Sequence, residues 1–118
     1  MSEASIEETV RAAYRAWETK DRASLERMVG EDFHFTSPYD DHIDRKAFFE
    51  RCWPNAERIR RIDLTEVMVR GEAAMVRYEL TPAEGPRFHN AELLRFRDGK
   101  LAEVEVFFGE QNGFEQKP

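Results

Sequence analysis

The chain has 118 residues, with 18 lysines and arginines against 24 aspartates and glutamates, and a formal net charge of −6. This length suits a single domain, residues 1–118, whose last residues 111–118 are expected to be a frayed tail, and it excludes a two-domain organisation. The acidic balance excludes partners held through their phosphate charge, so neither nucleic acid nor an anionic membrane is expected as a partner.

The N-terminal segment and the cysteine count indicate the compartment. Residues 1–10 are polar and acidic, whereas an export signal is basic and then apolar, and no apolar run approaches the length of a membrane span. Cys52 is the single cysteine, so it cannot form a disulfide within the chain. We therefore expect a cytoplasmic protein.

Two helices are predicted first. Apolar side chains recur with a helical period over residues 5–19, and Ser5 with Glu8 has the spacing of a capping box. Asp21 can cap a second helix, for which Gly30 is a suitable C-terminal residue. The chain is therefore expected to begin with a helical hairpin.

A strand and a third helix follow. Residues 33–37 alternate in the manner of a strand, and Pro38 ends it because proline has no N–H for the ladder. Residues 39–42 are read as a short strand or a turn. Asp44 can cap a helix that Pro54 ends.

The second half of the chain has the pattern of an antiparallel meander. Long alternating segments are separated by turn residues at 70–71, 82–85 and 98–99. One face of this sheet is apolar and has to be covered by the helices. The fold class is therefore α+β.

The segment 86–97 breaks the apolar pattern. If it alternates regularly, Asn90 and Glu92 lie within an otherwise apolar inward stripe, where an ionised carboxylate is costly. Glu92 then needs a partner, a solvated pocket or a raised pKa. A one-residue bulge is the alternative, and it would turn His89 and Leu93 inward instead. The inward residues in the regular register are Phe88, Asn90, Glu92, Leu94 and Phe96.

Residues 37–42 hold a second polar cluster. If residues 39–42 are extended, Asp40 and His42 point the same way, and a carboxylate beside an imidazole is a common way to prepare a general base. An ordinary solvated turn is the alternative.

Aromatic residues supply a third candidate feature. Tyr14 and Trp17 lie on the buried stripe of the first helix, and a phenol aimed into a pocket can stabilise an oxyanion together with Glu92. The alternative is that both are core residues. The three histidines lack the spacing of metal ligands, so we expect no metal, and no cofactor motif is present.

Several strings in this order resemble the SnoaL-like and ketosteroid-isomerase-like branch of the nuclear transport factor 2-like superfamily. They are the helix with Tyr14, E-D-F-H-F-T-S-P (31–38), D-R-K-A-F-F-E-R (44–51), L-L-R-F-R-D-G-K (93–100) and V-F-F-G-E-Q-N (106–112). The resemblance spans residues 5–112. It implies a cone-shaped α+β barrel in which three N-terminal helices pack into a curved, mixed, mainly antiparallel sheet around a deep apolar cavity.

The resemblance also implies roles for individual residues. Tyr14 matches the tyrosine that donates to the enolate oxygen in the isomerases, and Glu92 matches their protonated aspartic acid. The general base of the isomerases is an acidic residue directly before the proline that ends the first strand, and Ser37 stands at that position here. Steroid isomerisation by that mechanism is therefore not expected.

The resulting hypothesis is a cofactor-free proton-transfer enzyme, of the isomerase, cyclase or hydratase type, that acts on a small apolar carbonyl or phenolic compound. Asp40 and His42 supply the base, and Tyr14 and Glu92 hold the developing oxyanion. The alternative is a non-catalytic ligand-binding or dimerisation domain. The residues expected to bind the ligand are Trp17, Phe35, Ser37, Trp53, Tyr78, Asn90, Val106 and Phe108.

Association is the remaining expectation. The resemblance implies a homodimer formed through the outer face of the sheet. In this chain that face is assigned to Leu93, Met75 and Phe107.

Overall fold

The structure is a computed structural model, and it describes residues 1–109; the predicted tail, 111–118, lies outside these residues. The helices are α1 (Glu3–Thr19), α2 (Arg22–Met28) and α3 (Arg45–Arg51), followed by a short 3-10 helix (Trp53–Arg58). The strands are β1 (Val29–Ser37), β2 (Asp40–Asp44), β3 (Ile59–Arg70), β4 (Ala73–Pro82), β5 (Phe88–Arg97) and β6 (Lys100–Phe108).

The six strands form one sheet in the order β2-β1-β6-β5-β4-β3. Strands β3 to β6 are an antiparallel meander, β2 pairs antiparallel with β1, and β1 runs parallel to β6. The sheet is not closed, because β2 and β3 lie at its opposite edges. The expected α+β fold, with three helices packed in a mixed and mainly antiparallel sheet, is confirmed as an open cone.

The start of α1 differs from the prediction. Ser2 has an extended backbone, and its hydroxyl oxygen accepts a hydrogen bond from the Ser5 N–H at 3.0 Å. Ser2 is therefore the N-cap and Ser5 is already helical, so the predicted capping box of Ser5 and Glu8 is wrong. The helix ends at Thr19, and the capping residue that follows, Lys20, has a left-handed backbone.

The predicted cap of α2 is confirmed, but its predicted end is not. The Asp21 carboxylate accepts from the Ser24 N–H at 3.1 Å. The helix ends at Met28, and Gly30 lies inside β1. A Cβ at Gly30 would lie 3.3 Å from the Cβ of Lys100, so this glycine allows close packing of β1 beside β6 and does not end the helix.

The third helix begins where predicted and ends slightly earlier. The Asp44 carboxylate accepts from the Ala47 N–H at 2.9 Å, which confirms the cap. The helix ends at Arg51, and Pro54 lies in the first turn of the 3-10 helix, where its missing N–H costs no hydrogen bond.

The core lies between the helices and one face of the sheet. Helix α1 packs against β3 and β4, and α3 packs against β1. Ile6 and Val10 on the apolar stripe of α1 are completely buried, and so is Phe33 on β1. Within residues 1–109, no helix combines the length and the apolar character needed to cross a membrane.

The register of β5 decides what enters the core. Glu92 pairs with Val76 on β4 and with Val106 on β6, and the inward set of β5 is the one expected from regular alternation. The alternative register, with His89 and Leu93 inward, is wrong. Around Glu92 the ladders on both sides of β5 are regular and leave no extra residue that would turn the strand over, and the register shift towards β6 lies further along, between Arg95 and Phe96.

Candidate functional site

The helices and the sheet enclose a cavity of about 140 Å³ whose wall is mainly aromatic and aliphatic. A cavity of this order accommodates roughly one aromatic ring. The predicted site residues that line it are Tyr14, Trp17, Phe35, Ser37, Asp40, Tyr78, Asn90, Glu92, Val106 and Phe108. Trp53 does not line it. Its ring packs on Trp17 with 4.7 Å between centroids, so its assignment to the wall is corrected.

Glu92 is the centre of a polar network in this apolar space. The Tyr14 hydroxyl donates to Oε1 of Glu92 at 2.8 Å, and the Tyr78 hydroxyl donates to Oε2 at 2.7 Å. Helix α1 supplies the first tyrosine and β4 the second, so each carboxylate oxygen has its own phenol donor. The predicted proximity of Tyr14 and Glu92 is present.

Burial changes the ionisation of all three groups. The pKa of Glu92 is raised because burial disfavours its charged form, and the two tyrosine hydrogen bonds offset part of that effect. The pKa values of Tyr14 and Tyr78 are raised well above the usual value, first by burial and then by the nearby Glu92. The site therefore favours neutral, proton-donating groups.

Asn90 extends the network away from Glu92. Its side-chain N–H donates to the Tyr78 hydroxyl oxygen at 3.1 Å, and its Oδ1 accepts from the Gly109 N–H at 3.4 Å. The side chain is buried. Asn90 therefore contacts Tyr78, although the sequence led us to expect that it orients the substrate directly.

Asp40 forms a second polar group in the cavity wall. Its Oδ2 accepts from the Ser37 hydroxyl at 3.1 Å, and its Oδ1 lies 2.7 Å from a guanidinium nitrogen of Arg51. The Asp40 side chain is only 4% exposed, whereas that of Arg51 is 54% exposed. The sheet thus brings Ser37 and Asp40 together, and α3 supplies the counter-charge.

The predicted pairing of Asp40 with His42 is wrong. The His42 ring is 66% exposed, and its Nδ1 lies 2.8 Å from the carboxylate of Asp41. His42 has a φ of 48°, which breaks the extended geometry on which the prediction depended. Its pKa is raised by that hydrogen bond to Asp41, so its ionisation is set at the surface and not by the cavity.

Two residues of the site were not anticipated as such. Arg51 carried no sequence signal, because its partnership with Asp40 depends on how α3 lies against β2. Cys52, noted from the sequence only as the single cysteine, is buried and also lines the cavity. Burial and the nearby Asp40 raise the pKa of its thiol to about 12.

Metal ligation has no visible basis in the described part of the chain. No group of three or more His, Cys, Asp or Glu side chains in residues 1–109 is placed to hold an ion.

A family model, described as a SnoaL-like domain, matches residues 10–104 of the chain. No curated protein matches the chain. Solved structures with the same fold include a candidate ketosteroid isomerase from Kribbella flavida, with a TM-score of 0.77, 19% identity, and coverage of 96% of this chain and 82% of the other.

Two further structures extend the comparison. A candidate hydroxylase from Streptomyces galilaeus has a TM-score of 0.79 and 18% identity, and the match covers 94% of this chain and 83% of that one. A nuclear transport factor 2-like protein of unknown function from Cytophaga hutchinsonii has a TM-score of 0.74 and 18% identity, with coverage of 93% and 95%. At such identities the similarity concerns the fold alone.

Proposed function

This chain belongs to the SnoaL-like domain family, and we propose that it is a proton-transfer enzyme for a small, mostly apolar carbonyl or phenolic compound bound in its cavity. The observation that carries the proposal is the position of Glu92, a carboxyl group with a raised pKa that is held by two phenols inside an apolar wall. Such an arrangement offers preorganised donors to an oxygen that gains negative charge.

The two carboxyl groups of the cavity have different surroundings, and this difference suggests their roles. Asp40 is the anionic member because it is ion-paired with Arg51, whereas Glu92 has no cation beside it among the described residues. When two carboxyl groups of one site have such different surroundings, one commonly acts as the base and the other as the acid. We assign Asp40 as the general base and Glu92 with Tyr14 as the oxyanion site.

The proposed step is proton abstraction beside a carbonyl. Asp40 takes a proton from the carbon next to the carbonyl, so a C–H bond breaks and an O–H bond forms on the carboxylate. The electron pair moves to the carbonyl oxygen, and Tyr14 and Glu92 donate hydrogen bonds to the resulting enolate. Where the substrate has a carbon–carbon double bond conjugated with this enolate, Asp40 returns the proton to the far carbon of that double bond as the carbonyl re-forms, which completes an isomerisation.

The second candidate is a non-catalytic ligand-binding domain. The specific observation in its favour is that the carboxylate oxygens of Glu92 and Asp40 already have protein partners. A binding site without catalytic activity also needs buried polar groups whose hydrogen bonds are all made. The two functions therefore have to be separated by a measurement of proton transfer.

Ligand binding is tested with 2-naphthol, a phenol that resembles an enolate, by fluorescence between pH 5 and 9. We expect saturable binding that weakens about tenfold or more in Tyr14→Phe, because one hydrogen bond to a charged oxygen is worth roughly 1.5–3 kcal/mol. Tyr39→Phe, which alters an exposed tyrosine, is the control. If wild-type protein does not bind 2-naphthol, both candidate functions lose their support.

Proton transfer is tested by following hydrogen–deuterium exchange at the carbons beside the carbonyl in a panel of small cyclic ketones in D₂O. We expect catalysed exchange that falls about a hundredfold or more in Asp40→Asn, because loss of a general base typically costs 10²–10⁴ in rate. Asp41→Asn, at the exposed neighbouring position, should keep the wild-type rate. Naphthol binding without exchange would favour the non-catalytic domain.

A further inference from the structure

We propose that Asn90 is a positioning residue that keeps Oε2 of Glu92 a permanent hydrogen-bond acceptor, so that the exchangeable proton of Glu92 resides on Oε1, beside Tyr14. This inference deepens the proposed function, because it names the atom through which Glu92 would exchange a proton with a ligand. The hydrogen bonds from which it is argued all lie within the protein.

The direction of the hydrogen-bond chain is set by a backbone donor. The Gly109 N–H points at the carbonyl oxygen of His89, 2.9 Å away, and at Oδ1 of Asn90, 3.4 Å away. A peptide N–H can only donate, so the side chain of Asn90 must turn its oxygen towards Gly109. Its NH₂ group is then directed to the opposite side, where Tyr78 lies.

The next link transmits this direction to Glu92. Asn90 Nδ2 donates to the Tyr78 hydroxyl oxygen at 3.1 Å, so that oxygen is an acceptor on this side. The hydroxyl hydrogen of Tyr78 has to point elsewhere, and Oε2 of Glu92 lies 2.7 Å away. Asn90 and Tyr78 are both buried, which reduces competition from water. Oε2 of Glu92 therefore accepts this hydrogen, and because the carbonyl oxygen of a carboxylic acid is a better acceptor than its hydroxyl oxygen, this contact favours the proton on Oε1.

Tyr14 is different from Tyr78 in this respect. Its hydroxyl donates to Oε1 of Glu92 at 2.8 Å, and no side chain in residues 1–109 donates to the Tyr14 oxygen. Its hydrogen is therefore free to turn between Oε1 and a ligand oxygen. When Glu92 is protonated on Oε1, the Tyr14 oxygen can accept that proton's hydrogen bond. The two tyrosines thus have separate tasks, one holding Glu92 and one facing the ligand.

Among residues 1–109, no charged group is found to act on Glu92 at close range. The titratable groups that face it are Tyr14 from α1, Tyr78 from β4 and the Cys52 thiol at the end of α3, while its neighbours across the sheet are Val76 and Val106. Hydrogen-bond direction, and not a nearby ion, therefore determines which oxygen of Glu92 is protonated.

Neutron diffraction on crystals grown in D₂O tests this directly, at a pH at which Glu92 is protonated. In the wild-type protein we expect deuterium on Oε1 of Glu92, with the Tyr78 deuterium directed at Oε2 and the Asn90 amide deuterium directed at Tyr78. Deuterium on Oε2, or divided equally between the two oxygens, would overturn the proposal. This measurement needs no ligand, so its failure is distinct from a failure of the proposed function.

Asn90→Leu tests the part played by Asn90, since leucine has the same branching and number of side-chain heavy atoms and no hydrogen-bonding group. We expect the deuterium of Glu92 to be distributed over both oxygens in this variant, because Tyr78 is no longer constrained. An unchanged position on Oε1 would show that Asn90 does not direct the proton. If the variant does not fold, Asn90→Val also removes the amide without adding a hydrogen-bonding group and is smaller than leucine, and the same two outcomes apply.

A binding measurement gives an independent result. In the wild-type background, Tyr14→Phe should weaken 2-naphthol binding about tenfold or more, whereas in the Asn90→Leu background the same substitution should cost about threefold or less, because Tyr78 becomes able to donate to the ligand. An equal loss in both backgrounds would contradict the separate tasks of the two tyrosines.

Discussion

A buried carboxylate and an exposed guanidinium form the ion pair at one wall of the cavity, with Oδ1 of Asp40 2.7 Å from Arg51. Asp40 comes from the first residue of β2 and Arg51 from the last residue of α3. The pair therefore joins a sheet edge to a helix end. Because Asp40 is almost inaccessible, its charge depends on Arg51 and on the Ser37 hydroxyl for compensation.

Removal of Arg51 should destabilise the protein more than removal of the charge on Asp40. Arg51→Met leaves a buried carboxylate without its cation, and we expect a loss of about 1–3 kcal/mol, less than for a fully buried pair because Arg51 is half exposed. Asp40→Asn keeps a polar group that can bond both partners and should cost less. Urea denaturation measures both changes. A smaller loss for Arg51→Met than for Asp40→Asn would contradict the dependence on Arg51.

The raised pKa of Glu92 makes the stability of the protein depend on pH in a defined direction. The folded state holds this proton more tightly than the unfolded chain, so the contribution of Glu92 is fully present below the ordinary glutamate pKa of about 4.3 and is lost as the pH rises through the raised pKa. Glu92→Gln stays neutral throughout. Its stability relative to wild type should therefore increase with pH across this window, by about 1.4 kcal/mol for each unit of the shift.

Urea denaturation of wild type and Glu92→Gln at several pH values from 4 to 8 provides the measurement. Glu50→Gln, at an exposed position of α3, controls for the loss of one carboxylate. A stability difference for Glu92→Gln that does not change with pH would show that Glu92 titrates as it does in the unfolded chain.

Cys52 should be an unreactive thiol in the folded protein. Its pKa is raised to about 12 by burial and by Asp40, so the thiolate fraction at pH 8 is roughly a thousandfold below that of a free cysteine. We expect a chromogenic aromatic disulfide to react at least that much more slowly with native protein than with protein in denaturant. The single cysteine makes the signal unambiguous. Comparable rates in both states would indicate an accessible, activated thiol.

The outer face of the sheet is the proposed site of homodimer formation. Met75 and Phe107 are exposed there, at 37% and 45%, and Met75 pairs across the strands with Leu93 and with the still more exposed Met68. We expect sedimentation to report a dimer, and Phe107→Glu combined with Met75→Glu to convert it to a monomer by placing charges in an apolar contact. Tyr39→Ser, at another exposed aromatic residue, is the control. A monomeric wild-type protein at micromolar concentrations would contradict this assignment.

The helix caps show how far local rules extend. Asp21 and Asp44 cap their helices as predicted, because an N-cap needs only a short side chain and the next few residues. The predicted N-cap at Ser5 was wrong although its spacing to Glu8 was correct, because Ser2, three residues earlier, is the N-cap. The prediction that Gly30 ends α2 was wrong because glycine is used both at helix ends and where strands pack closely, and the sequence does not distinguish the two uses.

The candidate site also contains residues whose placement local rules predict and residues whose placement they do not. The alternation of β5 was sufficient to place Glu92 and Asn90 inward, since side chains in a strand alternate strictly when no bulge intervenes. The sequence could not predict where the His42 side chain points, because the left-handed backbone of this single residue turns its ring to solvent. The choice between an Asp40–His42 pair and a solvated turn depended on that one backbone angle.

By itself, the sequence determined the α+β class, the order of helices and strands, and the presence of a glutamate and a tyrosine on inward-facing stripes, because periodicity and capping are properties of neighbouring residues. Only the tertiary structure decided that Tyr14 and Tyr78 meet on Glu92 and that Arg51 compensates Asp40. These partners lie 78, 14 and 11 residues apart along the chain, and contacts at such separations depend on how the elements pack, which no local pattern encodes.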